Sequence, residues 1–284
     1  MSWFKGAVDY VDEWTFMSTP WLLLSIWITY MFFVLKCGPA YMEKRPAYKL
    51  TNILGLYNLF QVLLSCYIVY MGVWHMNTQG IVSSHCAIEA KDTQPYMMRG
   101  VWIYFVAKIT ELLDTVFFVL RKKMNQVSFL HVYHHSLMVI ATWFALKYNP
   151  TDVLIFLGTL NSFVHVIMYG YYGLSAYPSL AKYLWWKKYI TSFQLIQFGL
   201  ITIHAFTSAF VSKCNTSFVL LFTIFFNLGV MIYLFSDFYV KSYVKKDEKS
   251  RKTKITLENQ PTASSLVDSM YATNVQSLET EKTK

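Results

Sequence analysis

The sequence predicts an all-α polytopic membrane protein with seven transmembrane helices. Three observations carry that prediction. Of 284 residues, 55% are hydrophobic and only 14% charged, against about 25% charged in soluble globular domains. Seven apolar runs, near 20–36, 51–72, 97–120, 127–147, 151–172, 189–210 and 217–240, come close to or exceed the roughly 20 residues that cross a bilayer. The remaining charge collects in short basic clusters between them.

Proline placement supports each boundary. Pro20, Pro39, Pro46, Pro95, Pro150 and Pro178 are expected at or outside helix ends, where a missing N–H costs little. The third run is interrupted by Lys108, Glu111 and Asp114. After about Tyr243 the chain turns polar (KKDEKSRKTK) and then rich in Ser and Thr, with too little apolar surface to fold alone. Residues 1–19 are therefore read as a lumenal N-terminal segment, 20–245 as the membrane domain and 246–284 as a disordered cytosolic tail.

Orientation follows from Lys and Arg. One set of loops holds Lys36, Lys44, Arg45, Lys49, Arg121, Lys122, Lys123, Lys182, Lys187 and Lys188, together with the tail; the other holds Lys5, Lys91, Arg99, Lys147 and Lys213. The positive-inside rule places the first set in the cytosol and the N-terminus on the opposite side. Asp9, Asp12 and Glu13 replace the basic flank and apolar core of a cleavable signal. The net charge of +9 is thus a topology signal, and with no basic stripe among exposed aromatics a nucleic-acid partner is not expected. Cys86 and Cys214 both fall in non-cytosolic loops. A disulfide between them is expected in an oxidising compartment, with two free thiols as the alternative. Asn215-Thr216-Ser217 is a glycosylation sequon on that side, and Cys37 and Cys66 read as reduced.

Polar groups inside membrane helices are costly and usually face a cavity or a partner. FLHVYHHSLM places His134 about 60° to one side of His131 and His135 about 40° to the other, so all three share a face. KITELLDT gathers Lys108, Glu111, Asp114 and Thr115 in a sector of roughly 120°. The fifth helix adds Asn161, His165, Met168, Tyr169 and Tyr172, the sixth Thr191, Gln194 and Gln197, and the second Asn58 and Gln61. Counted from the cytosolic helix ends, most of these lie about 8–15 Å deep, with Lys108 and Asn161 deeper. Singly, each reads equally well as an interhelical hydrogen bond. Five helices contributing to one layer instead imply a buried site reached from the cytosol.

Imidazoles are common metal ligands. A histidine-box, metal-dependent membrane lipid oxygenase or desaturase is therefore the competing reading. Such enzymes use about eight histidines in several boxes, whereas this chain has seven in all, four of them in the layer. No metal ligands are assigned. A receptor would normally carry membrane prolines, and a transporter a site near the midplane.

The stretches KITELLDTVFFVLRKK, LHVYHH, LNSFVHVIMYGYYGL and YLWWKKYITSFQLIQF resemble, in order and spacing, the motif set of animal very-long-chain fatty acid elongases. The resemblance covers roughly 20–245. It implies a 3-oxoacyl-CoA synthase, multi-pass in the endoplasmic reticulum membrane, with helices two to seven forming a barrel around a closed-ended acyl tunnel. Long-chain acyl-CoA and malonyl-CoA are the implied substrates, with no cofactor, and the other elongation-cycle enzymes and a second copy are the implied partners. His134 is implied as acyl carrier, with His165 assisting. His131, His135, Asp114, Glu111 and Lys108 complete the expected catalytic layer, Asp114 and Glu111 fixing histidine tautomers. Asn161, Tyr169, Tyr172, Gln194 and Gln197 are expected against substrate, and Lys122, Lys123, Lys187 and Lys188 against CoA phosphates. Thr142-Trp143 and Thr151-Asp152 depart from a Trp pair and a Gly-Gly in related elongases. The terminal EKTK departs from a double-lysine retrieval signal. The pattern around LNSFVHVIMY and ITIH resembles the branch acting on saturated and monounsaturated chains.

Overall fold

The computed structural model describes residues 4–82, 94–211, 218–245, 248 and 251–252. Cys86, Cys214, the Asn215 sequon and nearly all of the tail lie outside them. Two compact units are present, Met1–Ser236 and Asp237–Lys284. Within the second, Lys241 Nζ pairs with Asp237 Oδ2 one turn away at 2.7 Å.

The described residues contain seven long helices and no strand. They are α1 (Trp21–Glu43), α2 (Thr51–Gln79), α3 (Gln94–Leu120), α4 (Phe129–Tyr148), α5 (Asp152–Ser175), α6 (Lys187–Val211) and α7 (Phe218–Tyr239). Six are long and apolar enough to cross a membrane. The exception is α3, which at 27 residues has the length but carries Arg99, Lys108, Glu111 and Asp114. Ser128 caps α4, its hydroxyl accepting from the His131 amide at 3.2 Å and so satisfying one of the orphan donors of the first turn.

Pro39 departs from expectation, for it sits inside α1. The preceding turn, Phe33–Cys37, is a π-helix, and Pro39 enters the next α-helical segment in its first turn. The wider turn shifts the hydrogen-bond register just where proline has no N–H to give.

Of the six apolar helices, α5 is the most buried, at the core of the bundle, and α7 the least. Antiparallel to α5 runs α2, as the pairings of Gly72 with Thr159 and of His75 with Asp152 show. A Cβ at Gly72 would collide with the Thr159 hydroxyl, so glycine is what lets these two helices approach, the small-residue contact favoured where lipid supplies no hydrophobic drive.

Lys147, expected in a non-cytosolic loop, is instead buried at the end of α4. Its ammonium bonds to Asp12 Oδ1 at 2.6 Å and to the Met17 carbonyl at 2.5 Å. Trp143 Nε1 donates to the Phe16 carbonyl at 2.8 Å. The N-terminal segment is thereby fastened across the end of the bundle away from the basic loops.

Candidate active site

Two parallel helices build the polar centre. From α3 come Lys108, Glu111 and Asp114, three residues apart, and from α5 come Asn161, His165 and Tyr169, four apart. Steps of three and four both return a side chain to one helix face, so the two rows stay in step and pair rung by rung. Lys108 Nζ donates to Asn161 Oδ1 at 2.8 Å and to both oxygens of Glu111 at 2.8 and 3.0 Å. His165 Nδ1 lies 3.1 Å from Glu111 Oε1. Tyr169 donates to Asp114 Oδ2 at 2.6 Å.

Donor and acceptor chemistry fixes the protons in this ladder. Lysine and tyrosine can only present protons to Asn161 Oδ1, which accepts from Lys108 and, at 3.0 Å, from Tyr104. The amide nitrogen of Asn161 then faces His165 Nε2 at 3.4 Å. With Nε2 as acceptor, the proton of a neutral His165 is on Nδ1, directed at Glu111. Lys108, Glu111, Asp114 and Asn161 are all shielded from water, each at most 8% exposed, and the Lys108–Glu111 contact supplies the compensation that buried charges require.

The histidines of α4 form a second tier. His131 and His135 have ring centroids 4.2 Å apart, and those of His134 and His135 are 5.6 Å apart at 80°. His131 Nε2 lies 2.9 Å from Thr115 Oγ1. His134 lines a cavity, and its Nδ1 is buried without a hydrogen-bond partner.

That cavity has a volume of about 460 Å³ and lies among α3, α4, α5, α6 and α7. His134, Asn161 and Gln197 are among the few polar residues that line it, while Ile140, Phe144, Leu154, Leu157, Ile201 and Val219 are among those that make the wall mainly apolar. Gln197 Oε1 is also buried and without a partner. Two residues that line the cavity thus each hold a buried polar atom without a partner, which suits a polar ligand group, because leaving such atoms unmet costs about 1–3 kcal/mol each.

Several expected residues have other partners. Asp114 contacts Tyr169 rather than a histidine, because its side chain points one rung beyond His165. Gln194 reaches Met168 Sδ at 3.7 Å. Tyr172 is partly exposed, its ring edge-on to Tyr169. Lys123, Lys187 and Lys188 are exposed at the basic end, Lys188 over the Tyr189 ring, and Lys122 bonds to the Glu43 carbonyl at 3.2 Å. Asn58 bonds to its own helix at the Leu54 carbonyl, and Gln61 bonds to Thr110. His204 is stacked on Phe156 and bonded to the Ile81 carbonyl at 2.8 Å. Sequence reasoning missed Tyr104, although it lies one turn from Lys108 on the same face. It also missed Tyr30 of α1, for which no periodic signal exists. Among the described residues no three His, Cys, Asp or Glu side chains converge as a metal ion would require.

Comparison with known proteins identifies the family. The model of the ELO (GNS1/SUR4) family matches residues 15–251. Very long chain fatty acid elongase 7 of Rattus norvegicus is 41% identical over 249 residues, covering 86% of this chain and 88% of that protein. Elongase 2 of Mus musculus is 42% identical over 242 residues, covering 83% and 77%, and elongase 5 of the same species is 41% identical over 246, covering 84% and 77%. Such similar identities do not single out one branch. A family match that takes in all seven long helices and both tiers of the polar centre leaves one conclusion: the chain belongs to the ELO family.

Proposed function

We propose that the protein elongates very long chain fatty acids, acting as a 3-oxoacyl-CoA synthase that condenses long-chain acyl-CoA with malonyl-CoA. One observation carries the reading: a mainly apolar cavity of about 460 Å³ is lined by His134 together with Asn161 and Gln197. In the first half-reaction His134 Nε2 attacks the acyl thioester carbonyl. An acyl-imidazole forms, the C–S bond breaks, and the imidazole proton goes to the departing CoA thiolate. In the second, malonyl-CoA loses CO2, its carbanion takes the acyl group, and the imidazole leaves and regains one proton from solvent. The acyl tail occupies the apolar part of the cavity, and Asn161 and Gln197 lie at the end where the thioester and enolate oxygens would be. His165, oriented by Glu111, moves protons at that end, and the lysines of the basic end meet the CoA phosphates.

The same reading makes α3 the seventh span, its Lys108, Glu111 and Asp114 bonded inside the bundle, with α2–α7 enclosing a closed-ended tunnel. It places the protein in the endoplasmic reticulum membrane, N-terminus lumenal and C-terminus cytosolic, and hands the 3-oxoacyl-CoA product to a reductase of the elongation cycle.

The test is incorporation of labelled malonyl-CoA by membranes expressing the protein, offered a panel of acyl-CoA primers, beside a His134→Ala preparation at matched expression. Product with the wild type alone supports condensation through His134. Product with both retains the activity and removes the acyl carrier. No product with any primer from folded protein sinks the proposal. Metal analysis of the purified protein separates it from a metal-dependent lipid oxygenase, since condensation through His134 needs no metal.

A further inference from the structure

Helix α1 contributes nothing to the cavity wall, yet one of its side chains reaches the histidine tier. Tyr30 is buried, and its hydroxyl lies 2.9 Å from Thr115 Oγ1, its one hydrogen-bond partner among the described residues. Thr115, fully buried, is in turn 2.9 Å from His131 Nε2. Helical threonines usually return their proton to the backbone one turn back, and Thr110, Thr142, Thr159 and Thr202 all do so here. Thr115 makes no such bond among the described residues, so its proton is committed to a side chain.

Only one arrangement uses every proton in this chain. If His131 Nε2 carried hydrogen, it would donate to Thr115; then either the Tyr30 or the Thr115 proton would be buried with no acceptor, at a cost comparable to a lost hydrogen bond. If Tyr30 donates to Thr115 and Thr115 donates to His131, nothing is wasted. His131 Nε2 is then an acceptor, and the proton of a neutral His131 is on Nδ1.

We infer that Tyr30 and Thr115 are positioning residues that hold His131 in its Nδ1–H tautomer, with its ring 4.2 Å from that of His135, which packs edge-on to His134. The inference rests on the reading of His134 as acyl carrier. It also gives α1, peripheral to the cavity, a part in the chemistry: it sets the donor side of the ring that stands between the basic end and His134.

Initial rates of malonyl-CoA incorporation, with kcat and KM separated for both substrates, test this in purified wild type, Thr115→Val, Thr115→Ser, Tyr30→Phe and Tyr30→Phe/Thr115→Val. Thr115→Val is expected to lower kcat roughly tenfold, the loss of about one well-made hydrogen bond to the transition state, while both KM values stay within about twofold. Thr115→Ser, which keeps the hydroxyl, restores kcat. Tyr30→Phe lowers it by less, because Thr115 can still donate to His131, and the double variant is no slower than Thr115→Val alone. Wild-type kcat in Thr115→Val, failure of serine to rescue, or additive losses in the double variant would each overturn the inference. An inactive wild type would instead sink the proposed function and take this inference with it.

Discussion

Tyr169 donates to Asp114 Oδ2 at 2.6 Å and so claims the carboxylate one turn beyond Glu111. The two acids of α3 therefore have different work. Glu111 joins Lys108 to His165, whereas Asp114 anchors a tyrosine of α5. Glu111→Gln is expected to lower the condensation rate by at least about 100-fold, the usual range for disabling an acid–base partner, and Tyr169→Phe by no more than about tenfold. Steady-state rates at matched protein amounts decide this. Equal losses would show that the carboxylates act as one unit.

Lys108 and Glu111 are each nearly inaccessible and meet at 2.8 Å. Removing one partner of a buried pair strands the other and typically costs 3–5 kcal/mol, whereas replacing both with neutral groups is often tolerated. The midpoint of thermal unfolding in detergent is therefore expected to fall sharply for Lys108→Met or Glu111→Gln alone and to recover in the double variant. Activity should not recover, because His165 would still lack its carboxylate.

Away from His134 the cavity wall is mainly apolar, so a larger side chain partway along it should act on the acyl chain alone. Ala141 lines it seven residues from His134, about 10 Å further along α4. Ala141→Phe is expected to shift product length toward shorter chains and to lower kcat/KM for the longest primers at least tenfold, with KM for malonyl-CoA unchanged. Chromatography of products across a primer series checks this. An unaltered profile would mean that the chain does not follow α4.

These predictions rest on features of uneven legibility in the sequence. The α3 and α4 clusters were readable because helical periodicity collects Lys108, Glu111 and Asp114, and then the histidines, each on one face. The same charges interrupt the 97–120 run and keep α3 from being as apolar as the other six long helices. What periodicity could not supply was pairing between helices. Assigning Asp114 to a histidine was reasonable from depth alone, but the parallel register of α3 and α5 puts Tyr169 there. Tyr30 is one of many aromatics in an apolar helix, and only the packing of α1 against α3 distinguishes it. Pro39 misled for a local reason, since a π-turn that admits a proline inside a helix leaves little mark on residue pattern.

The same limit applies to Lys147, which the sequence places where the 127–147 run meets a non-cytosolic loop and which the fold buries against Asp12 at 2.6 Å. This contact is at the opposite end of α4 from His131 and touches neither the cavity nor the histidines, so its contribution should be to stability alone. Asp12→Asn leaves the Lys147 ammonium with the Met17 carbonyl but no counter-charge, and is expected to cost up to about 3 kcal/mol. Lys147→Met should cost less, because it removes the buried charge instead of stranding it. Thermal unfolding in detergent is expected to rank wild type above Lys147→Met and Lys147→Met above Asp12→Asn, with kcat unchanged in all three below their unfolding temperatures. A fall in kcat without loss of stability would mean that the N-terminal segment reports to the active site, and that the clasp does more than hold the end of the bundle closed.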